Sequence, residues 1–151
     1  MKWSPPKPGK RAQANNRARA QIWGVVLRRD PAYKCEGCGM AEARLVFAHV
    51  VGRPGSGAAL GEWANSPELT MKLCDDEPAT GYVGCHSKYD RHLDPMLRRN
   101  LLNAALERLW RRLSLEGIVV AEPYDPEWTE DDLKAEIRAA VRVLEEAGER
   151  P

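Results

Sequence analysis

The sequence predicts a small α+β domain, mostly helical, and three observations predict it. Two short β-prone runs, residues 45–51 and 69–73, lie near the middle of the chain among glycine-rich and polar connections. Stretches with apolar residues at helical spacing flank them, one before and two after. All four cysteines and two of the three histidines fall between residues 35 and 86. A chain of 151 residues has the length of one domain and can bury a core.

The overall charge of +1 conceals an uneven distribution. Residues 1–34 hold nine Lys or Arg and one acid, a net +8, whereas residues 121–151 hold ten acids and four bases, a net −6. A basic head favours a polyanionic partner. No apolar run approaches the roughly 20 residues that a bilayer span needs. The first residues, Met1-Lys2-Trp3-Ser4-Pro5-Pro6, lack the apolar centre of a signal peptide. A cytoplasmic, reducing setting is therefore expected, where four cysteines read as metal ligands before disulfides.

In chain order, Pro5, Pro6, Pro8 and Gly9 among lysines predict a flexible basic arm over residues 1–11. A helix is expected from about Ala12 to Arg29, with Ile22, Val25 and Val26 as a short stripe and Asp30-Pro31 as its stop. Cys35-Glu36-Gly37-Cys38-Gly39 reads as a metal knuckle, since two thiolates separated by two residues reach one ion from a tight turn. A strand over residues 45–51 carries His49, a glycine-rich loop follows over 52–61, and a second short strand ends near Leu73. A helix starts after Cys85 and runs to about Asp90. The next has Asp94 as N-cap and Pro95 at its first position. Its Leu97, Leu101, Ala105, Leu109 and Leu113 make a core face, and Gly117 ends it. The last helix opens on a capping signature, Thr129 to Asp132, buries Leu133, Ile137, Ala140, Val141 and Leu144, and stops at Gly148. Residues 121–151 form an acidic helical extension, read as packing, as a protein-partner or self-association surface, and as a poor DNA contact.

The chemistry concentrates in the middle. Cys35 and Cys38 supply half of a tetrahedral zinc site, and Cys74 and Cys85 could supply the rest, an inserted loop leaving their ends adjacent. His86 and Asp90 are one helical turn apart and could share a divalent ion such as Mg²⁺ or Mn²⁺. His49 could then take a proton from water, since imidazole titrates in the neutral range. A lone histidine is more often a satisfied core residue; the joint pattern argues otherwise. Trp23 and Trp110 sit beside apolar stripes and read as core, Trp63 and Trp128 lie in loops, and His92 reads as a surface residue.

Cys35-x-x-Cys38-Gly, Ala48-His49-Val50, the glycine-rich loop, Leu73-Cys74 and Cys85-His86-x-x-x-Asp90 together resemble the HNH endonucleases of the His-Me finger (ββα-metal) superfamily, in particular small phage- and prophage-encoded members. The likeness covers about residues 17–93. It implies a ββα-metal core with a zinc knuckle, flanked by a basic N-terminal helix and two C-terminal helices, with the nuclease domain over residues 12–120. It implies that DNA phosphodiesters are cut with one divalent ion, RNA being the alternative substrate, inside a bacterial host cell. By this resemblance His49 matches the general base, His86 a metal ligand and Asp90 the last metal ligand. Asn65 is the expected middle asparagine, with Glu68 in reserve. Arg53 on the glycine-rich loop, Arg17 and Arg19 on the first helix, and Lys88 are expected to contact phosphates. The chain departs from the pattern at Ala48, where many members carry Asp or His as a metal ligand, and in the ten-residue insertion between Cys74 and Cys85.

Overall fold

A computed structural model describes residues 9–41, 43–51, 60–118 and 125–151. The proposed arm, but for its last residues, and the loop carrying Arg53 lie outside these. Helices account for about half of the described residues, in the order α1 (Lys10–Arg28), β1 (Leu45–His49), a 3-10 turn (Gly61–Asn65), β2 (Thr70–Cys74), α2 (Cys85–Asp90), α3 (Pro95–Leu115) and α4 (Glu130–Glu146). No helix among the described residues is long and apolar enough to cross a membrane.

The two strands pair antiparallel, with Leu45 opposite Cys74 and His49 opposite Thr70. This register sets the cysteine end of the sheet at one edge and His49 at the other. β1 closes at His49, two residues short of the expected end, although the Val50 N–H still donates to the Leu69 carbonyl one step beyond the last pair. β2 is buried along its whole length, which explains why its five residues do not show the simple alternation of a half-exposed strand.

α1 begins at Lys10, two residues before the expected start, and lies against β2. Its last carbonyls are met by Lys72, whose ammonium is fully buried and donates to the carbonyls of Val26, Leu27 and Arg29. A cation at a helix C-terminus complements both the orphan carbonyls and the helix dipole. Glu36, inside the Cys-x-x-Cys turn, accepts from Arg29 of the α1 terminus, from Arg108 of α3 and from the Lys72 backbone N–H. One carboxylate thus ties the knuckle to three elements.

α3 and α4 pack together, and their facing stripes make the larger part of the core; Arg98 near the start of α3 meets Glu130 at the start of α4, and Arg112 near the end of α3 meets Glu149 just past the end of α4. Asp94 accepts from the Leu97 N–H, and Pro95 occupies the first helical position. Thr129 and Asp132 form a reciprocal capping box. Both helices end on the same device. Gly117 and Gly148 adopt φ of +73° and +83°, and the residue after each returns its N–H to the carbonyl of the third residue from the helix end, Leu113 and Leu144. The apolar stripe of α4 is consumed by α3, so its packing role is intramolecular. Trp63 is buried beneath the Arg112 guanidinium, and Trp128 packs edge-on against Trp110, so both loop tryptophans belong to the core.

Candidate functional site

The cysteines come from three places: the turn before β1, the last residue of β2 and the first residue of α2. Their four Sγ atoms all lie within 4.8 Å of one another, and Cys38 and Cys74 are 3.8 Å apart. Zinc–sulfur bonds of ~2.3 Å in a tetrahedron put the sulfurs about 3.8 Å apart, so this group could hold a metal such as zinc. The Gly37 and Cys74 N–H groups both donate to Cys35 Sγ at 3.3 Å, and the Cys85 N–H donates to Cys74 Sγ at 3.2 Å. Tyr82 O–H lies 3.3 Å from Cys74 Sγ. Burial pushes the Cys35 and Cys85 thiols up. Burial also acts upward on Cys38, but the Met40 N–H and the neighbouring thiols outweigh it and bring Cys38 down to about 7. Sulfurs this close disfavour joint ionisation unless a cation sits among them, which is the condition that a zinc ion meets.

The ten-residue insertion does not keep Cys74 and Cys85 apart. It doubles back through the Glu77–Tyr82 bridge. Asp76 closes its base, accepting from the Gly84 N–H and from Ser87 Oγ. Those hydrogen bonds hold the Asp76 carboxyl below its ordinary range. Gly84 follows from the same closure: a Cβ there would sit 2.5 Å from the Asp75 carbonyl carbon and closer still to the Cys74 oxygen.

At the other edge of the sheet, His49 ends β1 and Asn65 ends the 3-10 turn. His49 Nε2 and Asn65 Oδ1 are 2.8 Å apart. Across from them, His86 Nε2 and Asp90 Oδ2 are 3.3 Å apart on one face of α2. Two donors bound at ~2.1 Å to adjacent positions of an octahedral ion are separated by about 3.0 Å, so one imidazole and one carboxylate at this spacing fit a shared divalent cation. Tyr89, between them on α2, donates its hydroxyl to the Val50 carbonyl, the residue after His49. That bond ties the helix with His86 and Asp90 to the strand end with His49. Arg98 lies over the Tyr89 ring and grips Glu130 of α4.

A cavity of about 640 Å³ opens here, lined by Arg19 from α1, His49, His86 and Asp90, and by Lys134 and Arg138 from α4. His92, in the left-handed region at φ +56°, also lines it, so this surface residue faces the site. The Arg19 guanidinium lies 5.0 Å from the centroid of Phe47, whose ring in turn is 5.2 Å from that of His49.

The structure therefore brings together His49, Asn65, His86, Asp90 and Arg19. It separates Glu68, whose carboxylate pairs with Arg112 at 3.1 Å, so Asn65 is the residue at His49. Arg17 is exposed on α1 outside the cavity wall, and Lys88 lies over the Tyr82 ring on the cysteine side of α2. Arg53 falls outside the described residues. Ala48 is buried and brings no donor atom; the pleat turns it to the opposite face from His49. Sequence reasoning missed Lys134 and Arg138, because the tail was judged by its net charge. Their spacing of four residues was the available signal, since it places both on one face of a helix. No protein-family model, curated protein or solved structure matches the chain.

Proposed function

We propose that this chain is an HNH-type, metal-dependent endonuclease built on a ββα unit (β1, β2 and α2) and braced by a structural zinc on Cys35, Cys38, Cys74 and Cys85. The observation that carries the reading is the His49–Asn65 hydrogen bond, set beside the His86–Asp90 pair in one cavity. DNA is the proposed substrate, with RNA as the alternative.

The roles follow from the donor and acceptor chemistry. An amide oxygen only accepts, so Nε2 of His49 carries the ring hydrogen towards Asn65 and Nδ1 bears the basic lone pair. Asn65 thereby holds both the tautomer and the tilt of the ring. His49 takes a proton from water as the water oxygen attacks phosphorus in line. The bond to the departing sugar oxygen breaks, and that oxygen gains a proton from solvent. A divalent ion on His86 and Asp90, when bound, would supply Lewis-acid stabilisation of the phosphate oxygens. Arg19 offers a guanidinium to an adjacent phosphate.

Plasmid nicking in Mg²⁺ or Mn²⁺ tests this. His49→Ala is expected to lower the rate by roughly 10²- to 10⁴-fold, the usual contribution of a general base. Asn65→Ala is expected to lower it by about 10- to 100-fold through misorientation of the ring, with zinc content unchanged. Equal rates in the parent and His49→Ala would end the base assignment. Ala48 favours a second reading, a zinc-stabilised nucleic-acid-binding module that does not cut. Salt-sensitive DNA binding without cleavage in any divalent metal would select it.

A further inference from the structure

α4 belongs to an extension with a net charge of −6, yet its own bases are not scattered. Lys134, Arg138 and Arg142 are all the Lys and Arg in the helix, and they follow one another at steps of four residues. Such steps stack side chains into one ridge along a helix. The same row begins with Glu130, but that carboxylate is engaged by Arg98 Nε at 2.9 and 3.1 Å. Glu146 closes the row, four residues past Arg142, and the other acids of α4 lie off it: Asp132 is taken up in the N-terminal capping box, while Asp131, Glu136 and Glu145 fall at other helical angles. The ridge is not buried by the packing that holds α4, since Leu133, Ile137, Ala140, Val141 and Leu144 supply that contact. Arg138 and Arg142 are exposed, and the Lys134 side chain keeps 26% of its surface, 3.7 Å from Glu130. Two of the three cations, Lys134 and Arg138, line the same cavity as His49, His86 and Asp90.

We infer that Lys134, Arg138 and Arg142 form a phosphate-binding ridge, along which the C-terminal helix holds the backbone of a nucleic acid strand whose neighbouring phosphate lies at His49. The inference rests on the nuclease reading for the identity of that cavity and adds a binding surface to it. Arg19 on α1 and the ridge on α4 then supply phosphate contacts from two elements far apart in sequence. The excess acid of the tail is no obstacle at the cavity, because Glu146 stands two helical turns beyond Arg138, the other acids of the helix are paired or turned away from the ridge, and charges are screened over about 8 Å at physiological salt.

The test is a salt titration of DNA binding by fluorescence anisotropy, with a labelled 30-base-pair duplex as probe. It uses the full chain carrying His49→Ala, so that cleavage does not intervene. Each phosphate contact contributes about 0.9 to the slope of log affinity against log salt. Adding Lys134→Ala and Arg138→Ala should lower that slope by about 1.8, and Arg142→Ala by a further 0.9 or so. A charge-matched control, Lys34→Ala with Arg44→Ala, should leave it within a few tenths. An unchanged slope in the ridge variant, or an equal fall in the control, overturns the inference. Thermal melts check that these substitutions leave the fold intact. Nicking by the parent separates the two readings. Cleavage with a ridge-independent slope removes the ridge and keeps the nuclease. A ridge-dependent slope without cleavage keeps the ridge and removes the nuclease. A parent that neither binds nor cuts removes both.

Discussion

Gly84 stands against the Cys74 and Asp75 backbone so closely that one methyl group has no room. The obstacle is main chain, which cannot swing aside as a side chain can, so relief requires the whole turn before α2 to shift. Gly84→Ala is expected to cost about 3 kcal/mol, at the upper end for overpacking, and to move Cys85 away from the other sulfurs. Thermal denaturation and the zinc content of the purified variant check this; a fully zinc-loaded variant with the parent's melting temperature would contradict it. At this scale the sequence was partly legible. The cysteines and histidines stood out because such residues are rare and their chemistry is specific. Asn65 did not separate from Glu68, since counting residues does not reveal that a 3-10 turn folds Asn65 back onto His49 and sends Glu68 to Arg112. Glu36 passed as a spacer between two cysteines, although its carboxylate collects Arg29, Arg108 and the Lys72 backbone.

Among the elements, α4 shows how helix ends answer to pH. Thr129 donates its hydroxyl and its backbone N–H to the Asp132 carboxylate, which holds that group below its ordinary range. Burial pushes the Glu130 carboxyl up, but the Arg98 hydrogen bond and charge outweigh it and hold it down. A carboxyl depressed in the folded state adds stability in full above its unfolded pKa and loses it as pH falls through the folded value. The stability of α4 should therefore be level above about pH 5 and decline below about pH 4. Melting curves across that window should show it, and Asp132→Asn should flatten the decline. An identical pH dependence in parent and variant would exclude the cap as its source. The caps, stops and apolar stripes of α3 and α4 were legible because each rests on residues within a few positions. The ends of β1 and β2 were less so, because strand length depends on a partner elsewhere in the chain. The basic ridge of α4 was obscured by summing charge over 31 residues in which direction, not total, decides what a surface meets.

For the molecule as a whole, the cysteine group joins the turn after α1, the end of β2 and the start of α2. Metal removal should therefore disturb more than the knuckle. Because a structural zinc contributes binding free energy directly to folding, a strong chelator should lower the melting temperature by more than about 15 °C, with recovery on one equivalent of zinc. Loss of helical signal should exceed what α2 alone accounts for, since Glu36 carries the disturbance to α1 and α3. An unchanged melt after complete metal removal would refute a structural role for the ion. The α+β class and the order of elements followed from periodicity and turn chemistry. The arrangement of the cavity did not, because it is assembled from α1, β1, α2, α3 and α4, whose contributing residues span positions 19–138.

The insertion between Cys74 and Cys85 has its base fastened by Asp76 and its stem by the Glu77–Tyr82 bridge, while residues 77–81 are exposed. Everything beyond the bridge is thus insulated from both the sulfurs and the cavity. Lengthening an already closed loop costs only about 0.6 kcal/mol per doubling. The tip at residues 78–81 is accordingly a natural docking bay for cargo. An epitope, a fluorophore or an entire guest domain grafted there would ride on the protein without touching the four cysteines or the residues that line the cavity.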